Sequence, residues 1–235
     1  MFLSIIVPVF NEEKNIGILI EKLLKLDFSK TSFQPEIIVV NDGSNDSSRK
    51  IIETFDNIKI INQENLGKGR AVQNGIKFAK GDFILIQDGD LEYDPEDILL
   101  MCKEINKLDK ISVYGSRYIP LYFKIMPKIY SKQNFFSYLA NILFLSLFMV
   151  LYGKLITDPL TGYKLYPKDF FKNNNINSNG FEADHEITAK MIKQNYKIIE
   201  VPVSYKPRSI KEGKKINFFD AIKALSTIIK YRFLN

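Results

Sequence analysis

Apolar positions in the first half of the chain recur in two alternating rhythms. The run LSIIVPV at residues 3–9 is short and β-branched, which predicts a buried strand. Ile16, Leu19, Ile20, Leu23 and Leu24 follow at helical spacing and predict a helix over 15–25. EIIVVN at 36–41 predicts a second strand that stops at the turn residues Asp42-Gly43-Ser44. Asp46 or Ser47 can cap a helix running to about Thr54. Further strands are expected at 58–61, 82–87 and 111–116, with a helix over 69–78. Another helix begins at Asp94-Pro95, where proline suits a first turn, and runs to about Leu108. This alternation implies an α/β fold with a mostly parallel sheet and helices on both faces. Ligands of such sheets bind outside the carboxyl ends of the strands.

The second half is less regular. Residues 133–153 carry no charge and are long enough to span a bilayer. Asn134, Ser137 and Asn141 nevertheless form a polar stripe along one helical face, which favours an interfacial or core helix. TDPLTGYKLY at 157–166 is rich in turn residues. A helix is expected over 184–194, and a strand over 197–205 that Pro202 marks as an edge. An amphipathic helix over 218–231 places Ile222, Leu225, Ile228 and Ile229 on one side. The N-terminus lacks the basic region of a signal peptide.

Charge changes this picture in the second half. The net charge is +6, yet residues 190–235 hold eleven Lys/Arg against three Asp/Glu, so the first 189 residues sum to −2. Residues 110–157 contain no acid and six basic residues. Such a window suits an anionic partner such as a phosphate, a nucleic acid or a membrane surface. One cysteine and one histidine exclude a disulfide framework, cysteine zinc clusters and multi-histidine metal sites. His185 reads as structural and Cys102 as a buried helix residue.

Polar residues gather at the strand ends. Glu12 follows the first, Asp42 and Ser44 the second, the loop Gly67-Lys68-Gly69-Arg70 the third, and Asp88, Asp90 and Glu92 the fourth. Asp88-Gly89-Asp90 can converge on a hard divalent cation such as Mg²⁺ or Mn²⁺, with Glu92 adding an oxygen. An EF-hand is excluded because Leu99 stands at the twelfth position from Asp88. The Gly67–Arg70 loop opens a helix and can approach phosphate. A Walker A loop and the dinucleotide fingerprint are both absent.

VPVFNEE, VVNDGSNDSS, NLGKGRA, QDGDLEYDPED, YGSRY, TDPLTGYKLY and GFEADHE occur in the order seen in family 2 glycosyltransferases of the GT-A fold. The chain resembles the dolichyl-phosphate mannose synthase-like, polyprenyl-phosphate branch over residues 2–210. The resemblance implies one domain over 1–235, with a nucleotide-sugar half at 1–118 and an acceptor and membrane-facing half at 119–235. It implies that Pro8, Glu12 and Asp42 border the nucleoside of a UDP- or GDP-sugar and that Lys68 lies near the nucleotide. Asp88 and Asp90 would be the D-x-D pair, with Asp90 and Glu92 reaching Mg²⁺ or Mn²⁺. Arg117 would face the active site, and Arg208 with Lys211, Lys214 and Lys215 would close over phosphates. Ser137, with Lys132 as a substitute for the branch's usual basic residue at the position of Tyr138, would hold a lipid phosphate. Glu92 stands where the branch often has Gln.

The acceptor implied is a dolichyl or undecaprenyl phosphate, or alternatively a glycan hydroxyl. A phosphate acceptor needs no strong base, whereas a hydroxyl would need one, and Asp184 or Glu186 fits that role. Asp158 either orders the acceptor loop or caps a turn. The implied protein is an inverting, metal-dependent transferase, peripheral on the cytoplasmic membrane face, with no nucleic-acid partner and room for a separate membrane-protein partner.

Overall fold

The computed structural model describes residues 1–105, 110–119, 135–208 and 218–234. Its strands are β1 (Phe2–Val9), β2 (Gln34–Asp42), β3 (Lys59–Gln63), β4 (Phe83–Ile86), β5 (Ile111–Ser116), β6 (Lys164–Pro167) and β7 (Lys197–Pro202). Its helices are α1 (Ile16–Leu24), α2 (Ser48–Ile52), α3 (Lys68–Phe78), α4 (Asp97–Lys103), α5 (Phe135–Tyr152), α6 (Lys168–Lys172), α7 (Ala183–Lys193) and α8 (Phe218–Phe233). Among the described residues these strands form one seven-stranded sheet of order β3-β2-β1-β4-β6-β5-β7.

Every neighbouring pair is parallel except the two made by β6, which runs against both β4 and β5. The hydrophobic rhythm explains the parallel part. Leu3, Ile5 and Val7 of β1 join α1 and α4 in one core, while Ile6, Ile38 and Ile84 turn to the opposite face beneath α3. A strand buried on both faces has no polar alternation, so it reads as a continuous apolar run. Each fully buried Ile or Phe in these layers contributes roughly 1.5–3 kcal/mol through area removed from water.

The expected elements form, with three differences. β6 stands within the stretch expected to be turns. All four of its residues are buried, but the strand is short and carries Lys164 and Pro167, so it has no β-branched signature. The helix expected from Asp94 starts at Asp97, after a turn, and its expected end at Leu108 falls outside the described residues. The apolar side expected on α8 is divided: Ile228 is buried with Ala224 and Tyr231, whereas Ile222 and Ile229 are exposed. The buried face is set by contact with α7 and α5, a tertiary choice that periodicity does not contain.

The uncharged helix α5 also inverts the usual arrangement. Asn141, the last member of its polar stripe, is fully buried and donates from Nδ2 to the Thr157 carbonyl at 2.9 Å. Leu139, Leu143, Met149 and Val150 face outward, Val150 at 80% exposure. No helix among the described residues is long and apolar enough to cross a membrane.

Candidate active site

The carboxyl ends of β1, β2 and β4 lie side by side, so the polar residues that follow them meet. Asp42 is buried at the end of β2 and accepts from the backbone N–H groups of Leu66 (2.9 Å) and Gly67 (3.0 Å) and from Gln63 Nε2 (2.6 Å). This fixes the loop entering α3. Gly67 there adopts φ 95°, a conformation that favours glycine. Asp42 therefore shapes the approach to Lys68. Pro8 lies half-buried on β1, with its carbonyl against Gly89.

Lys68 Nζ pairs with Asp88 Oδ1 at 2.7 Å and approaches Asp184 Oδ2 at 3.6 Å. Burial opposes its charge, but Asp88 and Asp184 more than offset this and hold it above the usual lysine range. Gly162 leaves the room for this contact: a Cβ there would stand 2.9 Å from Asp88 Oδ2 and 3.3 Å from Lys68 Nζ.

A second cluster lies beside the first. The Arg208 guanidinium reaches Asp90 Oδ2 (2.7 Å), Glu12 Oε2 (3.0 Å) and Glu92 Oε1 (3.3 Å), and Tyr205 donates its hydroxyl to Glu92. Burial, then Asp88 and Glu92, push the Asp90 carboxyl up to about 7 against the pull of Arg208. Asp88 thus turns to Lys68, while Asp90 and Glu92 share one organic cation. Among the described residues no group of three or more His, Cys, Asp and Glu side chains is gathered as a metal cage. The donors are nonetheless carboxylate oxygens beside an open polar edge, a set that suits Mg²⁺ or Mn²⁺ sharing ligands with a phosphate.

The third cluster is Arg117 with Asp158. Arg117 Nε and Nη2 donate to the two carboxylate oxygens at 2.7 and 2.8 Å, and its backbone N–H adds a bond of 3.0 Å. Asp158 is fully buried, and Tyr205 covers the guanidinium at 4.9 Å. The Tyr205 segment is anchored by Ser204 N–H, which donates to Asp97 Oδ2 at 2.7 Å. Burial pushes Asp97 up to about 6, opposed by that bond and supported by Asp94 and Glu96. A carboxyl raised on folding stabilises the fold most below its unfolded value, and this contribution is lost as pH rises through about 6. Asp97→Asn is therefore expected to be about 1–2 kcal/mol more stable than the parent at pH 8 and equal to it at pH 4. Urea titrations at both pH values check this, and a gap independent of pH would contradict it.

Residues 4–173 match the family described as glycosyl transferase family 2. The chain belongs to glycosyl transferase family 2. An uncharacterized protein of Methanocaldococcus jannaschii is 32% identical, with 97% of this chain and 98% of that one covered. Dolichyl-phosphate beta-glucosyltransferase ALG5A of Trichomonas vaginalis is 30% identical, with 98% of this chain and 72% of that one covered. Glucosyl-3-phosphoglycerate synthase from Mycobacterium tuberculosis, crystallised with Mn²⁺, uridine-diphosphate and phosphoglyceric acid, superposes with a TM-score of 0.73. That match is 16% identical and covers 99% of this chain and 79% of the other. The fold of this glycosyl transferase is accordingly GT-A-like.

Within this glycosyl transferase the structure brings together Glu12, Lys68, Asp88, Asp90, Glu92, Asp184 and Arg208, with Arg117 and Asp158 behind them. Glu186 is different. Its buried carboxylate accepts from the backbone N–H groups of Asn177 and Ser178 and from Lys190, so it anchors the 177–178 loop, whereas Asp184 faces Lys68. Lys132 and the side chain of Ser137 lie outside the described residues, as do Lys211, Lys214 and Lys215. His185 is buried against Phe144, and burial, then Lys164 and Lys68, push it down to about 3, so the ring is neutral. Cys102 is buried, as its helix position suggested.

Tyr205 and Gly162 escaped the sequence reading, and so did two residues that support the site from behind. Glu200 accepts from Thr157 N–H and Oγ1 and from Asp158 N–H, and so fixes the loop that carries Asp158. Its only signal is that it is one of three acids in a basic terminal stretch. Lys164, fully buried on β6, lies 3.3 Å from Thr188 Oγ1 and 4.8 Å from the Tyr114 ring centre, and burial pulls it down to about 8. Its stretch was expected to be turns, so the sequence carried no signal for a buried lysine there.

Proposed function

We propose that the protein is an inverting transferase that moves a sugar from a UDP- or GDP-sugar to a polyprenyl phosphate at the cytoplasmic membrane face. The observation that carries this reading is the pairing of two clusters at the strand ends: Lys68 with Asp88 and Asp184, and Arg208 with Glu12, Asp90 and Glu92. Such a site holds cations in place for a diphosphate leaving group. The names of the relatives support the acceptor class. They include dolichyl-phosphate beta-glucosyltransferases and, over 49% of this chain, a dodecaprenyl-phosphate galacturonate synthase of Rhizobium johnstonii.

Asp90 and Glu92 would hold Mg²⁺ or Mn²⁺, which when bound neutralises charge on the donor diphosphate. Lys68 and Arg208 place fixed positive charge on the same side of the site. Asp88 orients Lys68, and Gly162 keeps the neighbouring backbone clear of both. Arg117 and Asp158 hold the 157–162 loop against this centre. Two outward apolar faces support a membrane setting. One is Leu139, Leu143 and Val150 on α5; the other is Ile222, Ile229 and Phe233 on the adjoining α8. A helix with such a face lies in the interface plane.

The test is incubation with a panel of UDP- and GDP-sugars, Mn²⁺ and a short polyprenyl phosphate. Formation of a sugar-linked lipid is expected with one donor, and none with any donor would overturn the reading. Asp184→Asn separates the two acceptor classes. A phosphate acceptor arrives already anionic, so transfer should fall by no more than about tenfold, whereas loss of a general base costs about 10²–10⁴. A loss in that larger range, with donor binding intact, would assign a hydroxyl acceptor instead.

A further inference from the structure

A cleft of about 550 Å³ opens on the far side of the loop that enters α3. The 177–182 segment forms one wall and α8 the other, with Leu66 and Gly67 at its base. It is distinct from the clusters above. The Gly67 backbone is pressed against Asn179, where a Cβ would come within 2.8 Å of the Asn179 carbonyl oxygen, and Lys68 points its side chain away toward Asp88.

The α8 wall offers Lys223, Ser226, Thr227 and Lys230. Lys223 and Lys230 are seven residues apart and share one helical face. Neither ammonium pairs with a carboxylate among the described residues. Lys190, paired with Glu186, adds a cation behind the wall by lying 4.7 Å over the Tyr231 ring. The opposite wall contributes Glu182. Its Oε1 accepts from Gly180 N–H at 3.2 Å, while Oε2 has no hydrogen-bond partner among the described residues.

These walls ask for different things. Two ammonium groups without a carboxylate partner, one of them 5.5 Å from the Tyr231 ring centre, favour an anion, and phosphate is the anion that takes several such donors at once. A carboxylate oxygen without a donor repels a bare anion and calls for a hydroxyl. One ligand meets both demands if it carries a phosphate and neighbouring hydroxyls. We propose that this cleft binds a polyol phosphate, either free or as the headgroup of an anionic lipid. The lipid source has structural support, because the outward apolar residues Ile222, Ile229 and Phe233 lie on α8 beside the two lysines. The site does not depend on which sugar or acceptor the strand-end centre uses.

The full-length protein is titrated calorimetrically with glycerol 3-phosphate and with inorganic phosphate. It is also sedimented with phosphatidylcholine vesicles containing either phosphatidylglycerol or phosphatidylserine, which share a charge but differ in headgroup hydroxyls. Preference for the polyol member of either pair is expected. The double variant Lys223→Gln/Lys230→Gln should weaken that binding about tenfold or more, because two charge-assisted contacts are lost. Glu182→Gln should retain inorganic phosphate binding and lose the polyol preference. Preference seen with free ligand assigns a soluble phosphate, and preference seen only on vesicles assigns a lipid. The far-UV circular dichroism and melting temperature of both variants should match the parent, which shows that they fold whether or not the transferase reading holds. Equal binding of both members in both arms, or a double variant indistinguishable from the parent, overturns the proposal.

Discussion

Asp158→Asn is expected to lower stability by about 3–5 kcal/mol, the usual cost of removing one partner from a buried ion pair. Asp158 has no exposed surface and receives three bonds from Arg117, two from the guanidinium and one from the backbone. Asparagine keeps the shape but leaves a buried guanidinium without its counter-charge. At this chain length each kcal/mol shifts the melting temperature by about 2–4 °C, so a drop of roughly 6–20 °C should be visible by calorimetry. Arg117→Lys should not behave as a conservative change. Lysine lacks the planar fork that meets both carboxylate oxygens and lies 4.9 Å from the Tyr205 ring centre. A shift below about 2 °C in Asp158→Asn, equivalent to less than 1 kcal/mol, would show that the pair contributes little.

Arg208→Ala carries the second large effect, and its sign differs between two measurements. Arg208 occupies the carboxylate oxygens of Asp90 and Glu92, the pair proposed to hold a metal. Its removal should strengthen Mn²⁺ binding, because the metal no longer competes with a tethered cation. It should also leave Glu12, Asp90 and Glu92 facing one another, so the metal-free protein melts lower. Saturating Mn²⁺ should then recover most of that loss, as any ligand bound only by the native state stabilises it. Transfer should fall about 10²–10³-fold, the range for losing one group that stabilises developing charge. Melting curves with and without Mn²⁺, with a Mn²⁺ titration, read these effects separately. Equal Mn²⁺ affinity in parent and variant would contradict the competition.

What could be read from the sequence follows from what each residue depends on. β1, β2, β4 and α1 are set by local rhythm and burial on both faces, so their positions were legible. The strand-end acids were legible as a group because a parallel sheet places its carboxyl ends together. Their partners were not. Arg208 is separated from Glu12 by most of the chain, and only the folded sheet shows that one guanidinium serves three acids. Glu186 resembled Asp184 in its spacing on α7, yet burial turned it to a loop. On α8 the residues that looked like a core face are partly outward, because periodicity marks a stripe without saying what it meets. β6 hid behind its lysine, its proline and its brevity.

The reversed direction of β6 has a consequence for the order in which the chain assembles. β4 and β5 are close in sequence, but the strand between them is synthesised later. During translation the β4 edge, with Asp88 and Asp90 just beyond it, therefore emerges without its eventual neighbour. An open apolar edge is a template for pairing with another chain. A product ending before Gly162 is expected to self-associate, whereas one that includes Pro167 carries the strand that seals that edge and delivers Gly162 beside Lys68.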